Sequence, residues 1–209
     1  MSIEGKLDYW LSGLWIQWKG MVRLKYLPFI VNYIIIPVSL YIYWRMHVEY
    51  FTDHIKEQVF FFVPIMSVWW EILLLQQYVE GDGRELLWIN NQNKLFDIIV
   101  YFILYIISLF PILKFVMEIM EDGYEVIPLL LAQCFMYTGV VYMFCLIFSS
   151  VAMAFIPIFV YTLFADNRIS LMLSYNAVGS FQTPMYYMEA GIIFIILGLI
   201  YKRYHKKMI

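Results

Sequence analysis

Residues 126–165 form a run of forty residues without one charged side chain, bounded by Glu125 and Asp166. A helix rises about 1.5 Å per residue, so about 20 apolar residues cross the roughly 30 Å hydrocarbon core of a bilayer. Forty are too many for one crossing. They suit two helices joined by a tight turn, which Ser149-Ser150 is placed to supply. Comparable apolar stretches lie near 27–46, 59–78, 95–116 and 186–203, and the long run divides near 127–147 and 150–165. The expected architecture is an all-α integral membrane protein with six transmembrane helices. Only 14% of the residues are charged, against about 25% in an ordinary soluble domain. Pro37, Pro64, Pro111, Pro128 and Pro157 fall within or at the ends of spans, where lipid-embedded helices tolerate proline.

Residues 1–25 read differently. Ile3, Leu7, Trp10, Leu11, Leu14, Trp18, Met21 and Val22 step by three and four, with Lys6, Asp8, Ser12, Gln17, Lys19 and Arg23 mostly opposite. This pattern predicts an amphipathic helix in the membrane surface with its tryptophans at headgroup depth. No unbroken apolar region with a small-residue cleavage site occurs in the first 26 residues, so an uncleaved start is expected. The chain divides into this interfacial helix (1–25) and a six-helix membrane domain (26–209).

Lysine and arginine set the orientation. With both termini cytoplasmic, the inner segments hold Lys6, Lys19, Arg23, Lys25, Arg84, Lys94, Lys202, Arg203, Lys206 and Lys207, against Arg45, Lys56, Lys114 and Arg168 outside. Positively charged loops stay on the cytoplasmic side, which favours this arrangement and an even number of spans. The basic residues show no aromatic-interleaved patch of the nucleic-acid-binding kind. Cys134 and Cys145 are eleven residues apart on one expected helix, about 16 Å, too far to bridge.

Catalytic patterns are missing from the sequence. His47, His54 and His205 fall at span ends or in loops, away from any metal-ligand spacing. No Gly-x-Ser-x-Gly, His-Glu-x-x-His or phosphate-cradling P-loop is present, so the chain is not expected to be an enzyme or to bind a cofactor itself. One charge lies well inside a span: Glu71, in Ser67-Val68-Trp69-Trp70-Glu71. A charge near the bilayer centre costs about 2.5 kcal/mol or more, so it lines a polar path or finds a partner. Both readings are open, and Asn32 in the first span is a candidate partner or path residue.

The segment between the second and third spans is the most distinctive. It carries Glu80, Asp82, Arg84, Glu85 and a run of amides between two apolar stretches, and therefore faces water. Glu85–Ile89 could form a short, semi-apolar helix that fits a protein groove, or the segment could be a solvated loop. A cytoplasmic Glu-x(3–5)-Glu-Leu-Leu after the second of six spans, preceded by an amphipathic helix, resembles the permease subunit of type-2 ABC exporters (the ABC-2 family). The matching residues are Glu80, Gly83, Arg84, Glu85, Leu86 and Leu87. Leu146-Ile147-Phe148-Ser149-Ser150 is similar to the Ser-Ser end of that family's fourth span. An apolar fifth span with Pro157, then an outer segment from Asp166 to Pro184, also fits.

The resemblance implies that the Glu80–Leu87 segment is a coupling helix docked on a separate ABC ATPase subunit, which would bind ATP and Mg. It further implies a second permease copy or a related permease, and a place in a cell membrane such as the bacterial cytoplasmic membrane. The cargo would be amphipathic or hydrophobic: a peptide antibiotic, a drug or a lipid-linked molecule. The alternative is a non-transporting immunity or accessory membrane protein that acts by binding a partner.

Overall fold

The computed structural model describes residues 12–13, 15–19, 21, 23–46, 51–80, 94–119, 123–165 and 182–205. All regular structure among them is helical. After a helical stretch at 15–19 and a 3₁₀ turn (Arg23–Tyr26), the first apolar stretch runs through α1 (Leu27–Ile30), a π-helical turn (Val31–Ile35) and α2 (Ile36–Arg45). Then follow α3 (Phe51–Ser67), α4 (Trp69–Val79), α5 (Lys94–Ile119), α6 (Gly123–Phe148), α7 (Val151–Ala165) and α8 (Gln182–His205). Five helical stretches are long and apolar enough to cross a membrane: Leu24–Tyr43, Gln58–Val79, Leu95–Glu118, Val126–Phe148 and Pro184–Tyr204. The helix α7 is apolar but shorter, at 15 residues or about 22 Å.

The distribution of side chains is that of a protein dissolved in lipid. Ile34, Val38, Ile103, Ile107, Phe110, Ile193 and Ile196 are exposed, while Asn32, Ser67, Glu71, Asp97 and Thr138 are each at most 3% exposed. In water this would leave the largest apolar area wet and the polar groups dry, the reverse of a soluble protein. In a bilayer the outside needs no polar atoms, and polar groups gain most from partners inside.

Two elements form the centre. About 72% of the Gln58–Val79 stretch and 67% of Val126–Phe148 are buried, against 17–33% for the other three. The helix α6 packs against α3, α4, α5, α7 and α8, while the first stretch leans on α3 and α5. The helices α6 and α8 run parallel: Ala132 clusters with Tyr187, Gly139 lies against Gly191, and Tyr142 against Gly198. Glycine is what permits this approach. A Cβ on Gly139 would stand 2.5 Å from the Gly191 carbonyl oxygen, and one on Gly191 would stand 2.7 Å from the Phe135 ring. Small residues let membrane helices gain close van der Waals contact where no hydrophobic effect drives them together.

Between α6 and α7 the chain reverses at Ser149-Ser150, where Ser149 takes the left-handed backbone (φ 50°). The two helices then lie side by side, antiparallel, with the Tyr137 hydroxyl 2.8 Å from Thr162 Oγ1.

Of the interfacial helix expected over 1–25, residues 1–11 lie outside the described residues, and the described rest packs partly on protein. Trp15 and Ile16 are exposed, but Trp18 turns inward and stacks on Tyr101 of α5 and edge-on to Trp70 of α4. The Trp69 and Trp70 indole N–H groups donate to the carbonyls of Leu24 and Lys25. An indole ring offers more apolar area when sandwiched by aromatics than at a headgroup, and its N–H still finds an acceptor.

Candidate functional site

The second apolar stretch is broken in its middle. Pro64 carries no N–H and cannot donate to the Phe60 carbonyl, and the helix stops at Ser67 and restarts at Trp69 after Val68 (φ −88°, ψ −5°). Carbonyls near the break take side-chain donors instead. The Tyr105 hydroxyl on α5 donates to Val63 O at 2.7 Å, and Ser67 Oγ donates to Pro64 O at 2.7 Å. The first stretch answers Pro37 in the same way, with a π turn in which Ile36 N–H bonds Val31 O, five residues back. Tyr33 in that turn donates its hydroxyl to the Ser108 carbonyl on α5.

Glu71 sits in the first turn of α4, one turn past the break, and is fully buried. A carboxyl group there faces the positive end of the α4 dipole, inside the protein. Its Oε1 accepts the hydroxyl of Thr138 on α6 at 2.7 Å, a shorter contact than the one Thr138 makes to the Cys134 carbonyl at 3.2 Å. Its Oε2 meets no donor among the described residues.

Asn32, a candidate partner of Glu71 from sequence, makes its described hydrogen bond elsewhere. Its amide donates to the Tyr105 hydroxyl at 3.3 Å, and its Oδ1 has no donor among the described residues. Reach decides this: Asn32 sits in the π turn that faces α5, whereas Glu71 on α4 faces α6. Both nonetheless belong to one buried polar layer, since Tyr105 ties Asn32 to the α3 break and Ser67 lies within hydrogen-bonding reach of Cys134, one turn from Thr138.

A second cluster lies toward the far end of α4. The Tyr78 hydroxyl donates to Asp97 Oδ2 of α5 at 3.1 Å and accepts from Gln17 Nε2 at 2.8 Å, so a single phenol joins the N-terminal stretch, α4 and α5. Asp97 is 1% exposed. Sequence reasoning passed over it because it falls near the expected start of a span, where an acid reads as solvated. An aspartate followed at once by 16 residues without a charge was the available signal.

Of the residues assigned to coupling, Glu80 is described. Its Oε1 accepts the Val151 N–H at 2.9 Å and the Ser150 hydroxyl at 3.3 Å, at the start of α7. Gly83, Arg84, Glu85, Leu86 and Leu87 lie outside the described residues. Among the described residues no group of three or more His, Cys, Asp or Glu side chains could hold a metal ion, and Cys134 and Cys145 are buried free thiols. Comparison with protein-family models, with characterised proteins and with solved structures returns no match.

Proposed function

We propose that this chain is the membrane-spanning subunit of an ATP-driven ABC exporter that moves an amphipathic or hydrophobic substrate, with ATP and Mg bound by a separate ATPase subunit. Its main support is where the described ends of segment 81–93 fall. That segment leaves α4 beside Glu80 and re-enters at α5, and the turn between α6 and α7 lies at the same end of the bundle, because Glu80 reaches Ser150 and Val151. A protein bound at this end would touch the roots of four helices at once. Gly83, Arg84, Glu85, Leu86 and Leu87 are the contact residues in this reading.

Six crossings with both termini cytoplasmic belong to the same proposal. Parallel α6 and α8 require the chain to return across the bilayer between them. The helix α7, antiparallel to α6, runs in the direction of that return for about 22 Å. The count of basic residues, ten inside and four outside, points the same way without using any geometry.

The test is co-expression with a span-free P-loop ATPase encoded beside this chain. The two are expected to co-purify, and Glu85→Ala with Leu86→Ala is expected to abolish stimulation of ATP hydrolysis while leaving the membrane subunit folded. Failure of any such ATPase to bind would overturn the reading and leave the accessory-protein alternative.

A further inference from the structure

The helix α7 starts inside a chain segment that holds no charge from Val126 to Ala165, so nothing local can place an anion at its N-terminus. The first N–H groups of a helix lack intrahelical partners and attract negative charge. Ser150 stands at the capping position, and its carbonyl accepts the Ala154 N–H at 3.3 Å. Its hydroxyl, however, is spent as a donor to Glu80, and the Val151 N–H goes to the same carboxylate oxygen. A carboxylate 71 residues earlier in the chain thus takes the place of the local cap. The left-handed Ser149 turns the hairpin so that both donors face it.

Glu80 is also the residue at which α4 ends and segment 81–93 begins. We propose that Glu80 is a latch: it fastens the root of the 81–93 segment to the start of α7, so that a protein partner displacing that segment moves the α6–α7 hairpin with it. This rests on the reading of the chain as the subunit of an ATPase-driven exporter. The mechanical path has no gap. From Glu80 the displacement enters α7, whose Phe155 meets Trp69 of α4 edge-on (6.5 Å between ring centres), and passes to α6 through Tyr137 and Thr162. From α6 the glycine contacts carry it to α8. Without the latch, α7 would keep its apolar contacts but lose the polar tie at the end where the partner acts.

Two measurements separate the latch from the reading beneath it. The first uses the full chain alone in lipid nanodiscs, with spin labels at Gln76→Cys and Ala152→Cys, both exposed positions, and the unlabelled-site protein as background. A narrow distance distribution is expected. It should broaden on Glu80→Ala and stay narrow on Glu80→Gln, which keeps the acceptor oxygen. An unchanged distribution in Glu80→Ala overturns the latch, whatever the chain does in the cell. The second uses the complex with its ATPase. Because Glu80 itself begins the docking segment, transport is read per bound ATPase, and Glu80→Ala is expected to cut ATP-driven transport per bound ATPase at least fivefold. Full transport at full ATPase binding overturns transmission through Glu80. If the unaltered chain binds no ATPase, the exporter reading falls and the proposed transmission falls with it, while the distance measurement still decides the contact.

Discussion

Replacing Thr138 by valine removes one hydroxyl and almost no volume, and the structure allows its cost to be worked out. Glu71 is fully buried and takes its one hydrogen bond within the described structure from Thr138 at 2.7 Å; Oε2 meets no other donor there. Hydrogen bonds between membrane helices average about 0.6 kcal/mol and reach about 1.7. Stripping the last donor from a buried acid adds its desolvation penalty, for a total of about 1–3 kcal/mol. The expected loss for Thr138→Val is therefore about 1–2 kcal/mol, a factor of about 5–30 in the unfolding equilibrium. If the penalty comes from the stranded carboxyl, removing both partners relieves it: Glu71→Met with Thr138→Val should recover most of the loss. The assay is reversible unfolding in mixed micelles by titration with a denaturing detergent, run on the four proteins of the cycle. A Thr138→Val protein as stable as the parent refutes the reasoning, as does a double variant no more stable than the single.

Gly139→Ala places a methyl group 2.5 Å from backbone, which cannot rotate away, and should cost about 1–3 kcal/mol by the same unfolding assay. Tyr105→Phe strands the Val63 carbonyl and the Asn32 amide together, with an expected loss of about 1–2 kcal/mol. Cys134 and Cys145 are both fully buried, so a maleimide should leave them unmodified in membranes and label them only after denaturation; rapid labelling of the native protein would contradict the packing of α6. Trp18→Ala empties the slot between Trp70 and Tyr101 and should make the N-terminal stretch more accessible to protease, without unfolding the bundle.

The helical membrane architecture was legible because lipid makes a simple demand: about 20 apolar residues per crossing, with turns where that length runs out. The charge-free run 126–165 turns at Ser149-Ser150, where two hydroxyl residues interrupt it. Partner choice was not legible. Thr138 is 67 residues from Glu71, and a threonine in an apolar helix is as ordinary as the valines around it. Asn32 was the more conspicuous polar residue, but it lies in the π turn ahead of Pro37 and bonds Tyr105 of α5. The packing of Trp18 on Trp70 and Tyr101 was not legible for a related reason. Amphipathicity says that one face seeks apolar surroundings and does not say whether lipid or protein supplies them.

Several polar residues of the first three apolar stretches lie near their prolines. Asn32 and Tyr33 lie in the π turn before Pro37, Ser67 and Glu71 flank the restart after Pro64, and Ser108 precedes Pro111. A proline in a membrane helix strands a carbonyl where water cannot reach it, at a cost of several kcal/mol unless a neighbour donates. Tyr105 to Val63 O, Ser67 to Pro64 O and Tyr33 to Ser108 O place side-chain donors close to the prolines, on neighbouring carbonyls rather than on those of Phe60 and Ile107, and two of the three run from one helix to another. The first two apolar stretches, each irregular near its proline, are thus both tied by side chains to the continuous α5. The middle of the first three stretches is cross-linked by these side chains into one buried layer, with Glu71 at the edge facing α6.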